Sequence, residues 1–287
     1  MRRIAIFAHH DPQNTIARYV IYYLKELQKV VDYIIFVSDS DLNNIELDKI
    51  STCINHAIVG RHGEYDFGSY KKGYIYAEKE GILNDYQELI LLNDSCYAPL
   101  NPLAEMLSTM NNKNIDFWGI TADRIEHYSQ QLAIQSYFLV FKQNVFLSQT
   151  FKNFIESIKK ESNKSDIVAK YEQGLTINLE QSGYKWDVYS QYSKAHWESC
   201  IIDFKTLIFD EKCPILKRSL VLNRIAHIYN RDELLKLIQE KTAYNVTLIR
   251  EDIEYNPISL SLNYIFQLMY KTIGRVFIRI FQNYIKE

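Results

Sequence analysis

The first half of the chain alternates short apolar runs with stretches of helical spacing. Ile4 to Ala8 follows two arginines and stops at His9-His10-Asp11-Pro12, the pattern of a buried strand closed by a turn. From Asn14 onward Ile16, Val20, Tyr23, Leu24 and Leu27 recur at the spacing of one helix face. Tyr33 to Val37 reads as a second strand, closed by Ser38-Asp39-Ser40-Asp41, and His56 to Val59 as a third. A helix over about Ser69 to Glu80 and a fourth apolar run, Leu89 to Leu92, complete this half. Strands that alternate with helices imply βαβ units and a largely parallel sheet. In such sheets ligands sit outside the carboxyl ends of the strands. His9, Asp39 and the stretch Asn93-Asp94-Ser95 all fall at such ends.

The second half changes character. Phe117 to Ile120 and Gln135 to Phe141 read as strands, Val145 to Ile158 as a helix, and Asp166 to Gln181 as another helix stopped by Gly183. Gly183 to Tyr189 resumes as a strand, and after about Pro214 the pattern is helical. At the end, Lys271, Arg275 and Arg279 recur at intervals of four, while Ile265, Phe266, Leu268, Met269, Ile273, Val276, Phe277, Ile280 and Phe281 cover the remaining surface. Over residues 258–285 this predicts a basic amphipathic helix on a membrane surface, or a helix packed on its own domain or a partner. The expected organisation is an α/β domain over residues 1–217 and a helical extension over residues 218–287.

Composition narrows the function classes. The chain has 287 residues and a formal net charge of −2, which argues against general nucleic-acid binding. The absence of an 18-residue uncharged apolar stretch predicts no spanning helix, and the start MRRIAIFAHHDP is too short for a signal core. Cys53, Cys96, Cys200 and Cys213 form no CxxC pair, so they read as reduced thiols in a cytoplasmic setting rather than a zinc site. No GxxxxGK[ST] loop is present, and no GxGxxG follows the first strand.

Three stretches carry candidate chemistry: RHGEYDFGSYKKGY (61–74), LLNDS (91–95) and YEQGLTINLEQSGYKWDVY (171–189). Their order and spacing resemble nucleotide-sugar glycosyltransferases of the GT-A fold. YDFGSYKKGY, LLNDSCYAPL, FWGIT and QSYFLVFKQNVF, followed by CPILK, more closely resemble the rhamnan synthesis protein F family. The resemblance spans roughly Ile4 to Lys217. It implies an α/β, Rossmann-type, GT-A-like domain with a mixed central sheet. The implied activity is inverting transfer from a nucleotide sugar such as dTDP-L-rhamnose to a lipid-linked glycan of a surface polysaccharide. Such an enzyme would sit peripherally at the inner membrane face. A non-catalytic GT-A-like module that scaffolds a glycan-synthesis complex is the alternative.

The resemblance places Glu172 in the base position, with Leu175, Leu179, Gly183 and Tyr184 at the intervals of the family's helix. A carboxylate within reach of an acceptor hydroxyl removes its proton as the new bond forms; a surface helix Glu is the plain alternative. On the donor side stand His9, Asp39, Gly63, Asp66, Gly68, Lys71, Asn93, Asp94 and Ser95. Asp66 serves as a nucleotide contact or a helix cap, and Gly63 and Gly68 admit close backbone approach. Lys71 offsets diphosphate charge or is a solvated helix residue. Asn93-Asp94-Ser95 stands where Asp-x-Asp is expected, leaving Asp94, with His196 as a further candidate, to hold Mg²⁺ or Mn²⁺ if a metal is used. Trp118 and Asp123 are candidates for the acceptor side, with core packing as the alternative for Trp118.

Overall fold

The computed structural model describes residues 1–125, 131–196, 198–222 and 230–256. The expected amphipathic helix over residues 258–285 lies outside the described residues. Among the described residues no helix is long and apolar enough to cross a membrane.

In chain order the strands are β1 (Arg3–His9), β2 (Tyr33–Ser38), β3 (His56–Val59), β4 (Glu88–Asn93), β5 (Cys96–Tyr97), β6 (Phe117–Gly119), β7 (Ala122–Arg124), β8 (Leu132–Ile134), β9 (Phe138–Lys142), β10 (Trp186–Val188) and β11 (Leu216–Lys217). Seven of them form one mixed sheet in the order β10-β6-β9-β4-β1-β2-β3. β9 runs antiparallel to both neighbours, β4 and β6, while the other pairs are parallel. Small two-stranded ribbons pair β7 with β8 and β5 with β11.

The central strands are apolar at every interior position, Ile4 to Ala8, Ile34 to Val37 and Leu89 to Leu92, because both faces are covered. Successive residues point to opposite faces. Ala5, Phe7, Phe36, Ile90 and Leu92 join one buried cluster, and Ile4, Ile6, Ala8, Ile35, Leu89 and Leu91 join the other. The helix Arg18–Leu27 adds Val20, Tyr23, Leu24 and Leu27 to the first cluster, the face its spacing predicts. The helix Tyr65–Lys79 adds Phe67, Tyr70, Tyr74 and Ala77 to the second. Gly73 lets that helix lie against the sheet, since a Cβ there would stand 2.5 Å from Ile6 Cγ2.

Several elements differ from the sequence pattern for local reasons. The helix predicted over Val145 to Ile158 is two helices, Gln143–Phe146 and Gln149–Ser157. Ser148 divides them because its hydroxyl caps the second, accepting the Phe151 N–H at 3.2 Å. The strand predicted from Gln135 starts at Phe138, since the Gln135 side chain is engaged by the Thr121 hydroxyl at 2.6 Å. The helix predicted from Asp166 begins at Lys164 and passes through a wide π-helical turn, Val168–Gln173, before the regular helix Gly174–Gln181. It ends as predicted. Gly183 has φ +89°, its N–H reaches Glu180 O, and the Tyr184 N–H reaches Leu179 O, a left-handed stop that satisfies the last carbonyls.

Beyond residue 217 the described chain is helical: Arg218–Leu222, Arg231–Lys241 and Thr247–Tyr255. Leu220, Val221, Leu234, Leu235, Ile238, Leu248 and Ile249 join the same buried cluster as Phe7 and Leu92.

Candidate functional site

The sheet order reverses at β1. From β1 the chain proceeds outward through β2 and β3, then returns to place β4 on the other side. The crevice between the carboxyl ends of β1 and β4 is therefore the place where an open α/β sheet leaves room for a ligand. Asp94 occupies it. Its Oδ2 accepts the His10 N–H at 3.0 Å and lies 4.0 Å from His9 Nε2. The Asp94 carbonyl accepts the Tyr19 hydroxyl at 3.1 Å. His9 Nδ1 contacts Ser38 Oγ at the end of β2 at 2.9 Å.

Burial sets the electrostatics of this crevice. It pushes the Asp94 carboxyl up to about 6, against the pull of Arg218 and the His10 N–H. Burial likewise lowers His9 to about 4, so the imidazole is neutral. Asp94 in the folded chain thus keeps its proton to about pH 6, whereas an unfolded Asp loses it near 3.8. Folding is penalised as pH rises through that window, and the penalty is complete above it. Asp94→Asn is therefore expected to raise the melting temperature at pH 7.5, by an amount worth up to about 3 kcal/mol, and to raise it less at pH 5. A variant no more stable than the parent at pH 7.5 would show that the carboxylate is better solvated than its burial implies.

The rest of Asn93-Asp94-Ser95 is tied into the same corner. Asn93 Oδ1 accepts the Ser95 N–H at 3.1 Å and the Ser95 hydroxyl at 2.6 Å, while Asn93 Nδ2 donates to Asp66 Oδ2 at 2.8 Å. Asp66 lies in the first turn of the helix Tyr65–Lys79, where a carboxylate also suits the helix dipole. The loop ahead of that helix is held by Asp39, which accepts the N–H groups of His62 at 2.6 Å and Gly63 at 3.0 Å. Gly63 has φ +67°, a conformation that glycine adopts without strain. Gly68 serves packing rather than ligand approach, since a Cβ there would meet Glu64 Cβ at 2.2 Å. Lys71 pairs with Glu64 at 2.8 Å and donates to Ile158 O, so its ammonium ties this loop to the end of the helix Gln149–Ser157.

Glu172 comes from the π-helical turn, a distortion often found at functional sites. Its carboxylate accepts the Ser136 hydroxyl, and the Ser136 carbonyl accepts the Tyr70 hydroxyl at 3.0 Å. Burial, with Asp66 and then Glu172 beside it, holds the Tyr70 phenol well above its ordinary range. Asp66 and Glu172 therefore flank one buried hydroxyl, which joins the corner at β4 to the base candidate. Asp123, in β7, accepts the N–H groups of Arg124 at 2.8 Å and Glu198 at 3.3 Å, and burial raises its carboxyl. Trp118 is 1% exposed and packs against Phe138, so its ring belongs to the core and offers no open face to a sugar.

A divalent ion fits this donor set poorly. Mg²⁺ and Mn²⁺ want several oxygens, usually with one or two carboxylates free to bind. Here Ser95 replaces the second acid, the Asn93 oxygen is already shared by two donors, and Asp94 is buried against His9 and His10. His196 stacks on Tyr192 with ring centroids 3.7 Å apart and contacts Tyr192 O through Nδ1 at 2.9 Å. Among the described residues no three His, Cys, Asp or Glu side chains converge as a metal site.

The sequence matches a known family over most of its length. A family model described as rhamnan synthesis protein F matches residues 34–278. The chain belongs to the rhamnan synthesis protein F family. Its α/β architecture, with a mixed seven-stranded central sheet, is the fold class expected from the sequence. A curated relative, the uncharacterized protein y4gN of Sinorhizobium fredii, is 22% identical over 151 residues, covering 53% of this chain. The match spans only 39% of that protein's length. Among solved structures, a cytidylyltransferase from Leptospira borgpetersenii is similar at a TM-score of 0.43 and 10% identity, over 91% of this chain and 99% of that one. The mannosyltransferase Ktr4p from S. cerevisiae in complex with GDP is similar at 0.39 and 8%, over 64% and 69%.

Sequence reasoning missed several residues that complete the corner. Tyr19, Arg218 and Asp252 lie in no motif that was singled out. Ser136, inside QSYFLVFKQNVF, and Lys217, the last letter of CPILK, were visible without a role.

Proposed function

We propose that the protein is an inverting glycosyltransferase that moves a sugar from a nucleotide-sugar donor, L-rhamnose from dTDP-L-rhamnose, onto a lipid-linked glycan of a surface polysaccharide. The observation that carries this reading is the convergence of Asp66, Asn93-Asp94-Ser95 and Glu172 around the carboxyl end of β4 and the Tyr70 hydroxyl. Membership of a family described by rhamnan synthesis supports the choice of sugar. In this reading Asp66 and the 62–64 loop meet the nucleoside, and the diphosphate lies toward Ser95. The acceptor hydroxyl approaches Glu172 from the Asp123 side and gives its proton to that carboxylate as the glycosyl–oxygen bond forms. The work is done at the inner membrane face, with residues 258–285 on the lipid surface.

A panel of nucleotide sugars, assayed for binding and transfer with Mg²⁺, with Mn²⁺ and with EDTA, tests the reading. dTDP-L-rhamnose is expected to bind in roughly the micromolar to millimolar range usual for enzyme substrates. The alternative, a non-catalytic module of a glycan-synthesis complex, is favoured by one observation, the occupied Asn93 oxygen beside Ser95. That alternative prevails if no nucleotide sugar binds.

A further inference from the structure

The short ribbon of β5 and β11 brings a distant segment onto the corner. β11 pairs antiparallel to β5 with Lys217 opposite Cys96, and the Arg218 N–H donates to Ser95 O at 2.9 Å. Leu216-Lys217-Arg218 thus runs directly along the stretch where an acidic metal-binding residue was expected. Its two cations have different fates. The Arg218 guanidinium is held by Asp252 at 2.9 and 3.0 Å. The Lys217 ammonium lies 4.1 Å from the centroid of the Tyr137 ring and, among the described residues, has no salt bridge and donates no hydrogen bond.

That location is informative. Tyr137 directly follows Ser136, the partner of Glu172, and its carbonyl accepts the Asn93 N–H at 3.4 Å. Lys217 therefore sits over the ring that joins the donor corner, through the Asn93 N–H, to Ser136 and so to the base candidate; burial works against its charge, while Cys96 and Cys200, and after them Glu172 and Asp66, work for it. A partly buried ammonium without a counter-ion is costly, and a ring face replaces only part of its hydration. With no carboxylate bonded to it among the described residues, its three N–H groups can serve an anion bound at this corner. Resting on the reading of the protein as a glycosyltransferase, we propose that Lys217 neutralises the diphosphate of the donor and leaving group, in the position that a divalent ion fills in metal-dependent enzymes. As transfer proceeds, the bond between the sugar carbon and the diphosphate oxygen breaks and its electron pair stays on that oxygen. The acceptor oxygen bonds to the sugar carbon, and its proton passes to Glu172. Lys217 keeps its three protons throughout and acts by charge and hydrogen bonding.

The test measures binding of dTDP, UDP and GDP beside thymidine, uridine and guanosine by calorimetry, in EDTA, for the parent, Lys217→Met and Lys217→Arg. Met keeps an apolar stem on Tyr137, and circular dichroism melts establish that each variant is folded. The parent is expected to bind one nucleoside diphosphate more tightly than its nucleoside without added metal. Lys217→Met should lose about ten- to a hundredfold of that preference, the range for a hydrogen bond to a charged group, and leave nucleoside binding unchanged. Lys217→Arg should restore most of it. Diphosphate binding that is equal in the parent and Lys217→Met overturns the proposal, and so does binding that appears only on adding Mg²⁺ or Mn²⁺. In both cases the transferase reading survives, because a nucleotide is still bound. Failure of the parent to bind any of the six compounds, with or without metal, overturns that reading and the role of Lys217 with it.

Discussion

Glu172→Gln is expected to lower the rate of sugar transfer by about 10²- to 10⁴-fold, the range over which a positioned general base accelerates proton transfer. The substitution is nearly isosteric. A Gln carbonyl still accepts the Ser136 hydroxyl, so the link through Ser136 to Tyr70 survives. The π-helical turn is anchored by Tyr171, whose hydroxyl reaches Glu161 at 2.8 Å, and the helix beyond it by buried Leu175 and Leu179. Donor binding and thermal stability should therefore stay close to the parent's, and the loss should fall on kcat. The measurement is steady-state transfer with the best donor of the panel, beside calorimetric binding of that donor. Turnover within about threefold of the parent would be too small an effect for a general base, and the base would have to be sought elsewhere, with Asp123 next in line.

Asp252→Ala is expected to be the most damaging substitution for stability, at a cost of about 3 to 5 kcal/mol. Asp252 is 3% exposed and belongs to the helix Thr247–Tyr255. Its carboxylate accepts the Arg218 guanidinium through two bonds, the Tyr97 hydroxyl at 2.7 Å and Asn256 Nδ2 at 3.0 Å. Truncation leaves a largely buried guanidinium and a fully buried phenol without their acceptor, and the cost arises from those orphans more than from the bonds themselves. Urea denaturation of the parent, Asp252→Ala, Arg218→Met and the double variant separates the two. The double variant should be less destabilised than the sum of the singles. A loss below about 1 kcal/mol in Asp252→Ala would mean that water reaches Arg218 in place of the carboxylate. The consequence extends to the site, because Arg218 lies 4.7 Å from the centroid of the Tyr19 ring, and Tyr19 holds the Asp94 carbonyl. The helix after residue 246 thus supports the corner at β4 through Tyr97 and Arg218.

Much of the scaffold was legible in the order of residues. A strand buried on both faces must be apolar throughout, so Ile4 to Ala8 and Leu89 to Leu92 identify themselves. A helix on a sheet must be apolar along one stripe, so Val20, Tyr23, Leu24 and Leu27 do the same. Gly183 announces the end of its helix because few other residues accept a positive φ there without strain. These signals depend on neighbours in sequence, and periodicity carries them. The expected division of labour at Gly68 and Lys71 was less legible. Both lie in a motif that suggests a ligand, yet one makes room for Glu64 and the other pairs with it.

Sequence alone therefore determined the alternation of strands and helices, the family, and the position of Asp94 at a strand's carboxyl end. Only the tertiary structure decided what stands beside that strand end. Lys217 and Arg218 reach Ser95 and Cys96 through a two-stranded ribbon, and Asp252 reaches Arg218 from a helix packed later still. Such pairings leave no period in the chain, because each rests on a few contacts between residues far apart in sequence. Whether the corner at Asn93-Asp94-Ser95 faces another acid or a cation is for that reason a property of the fold.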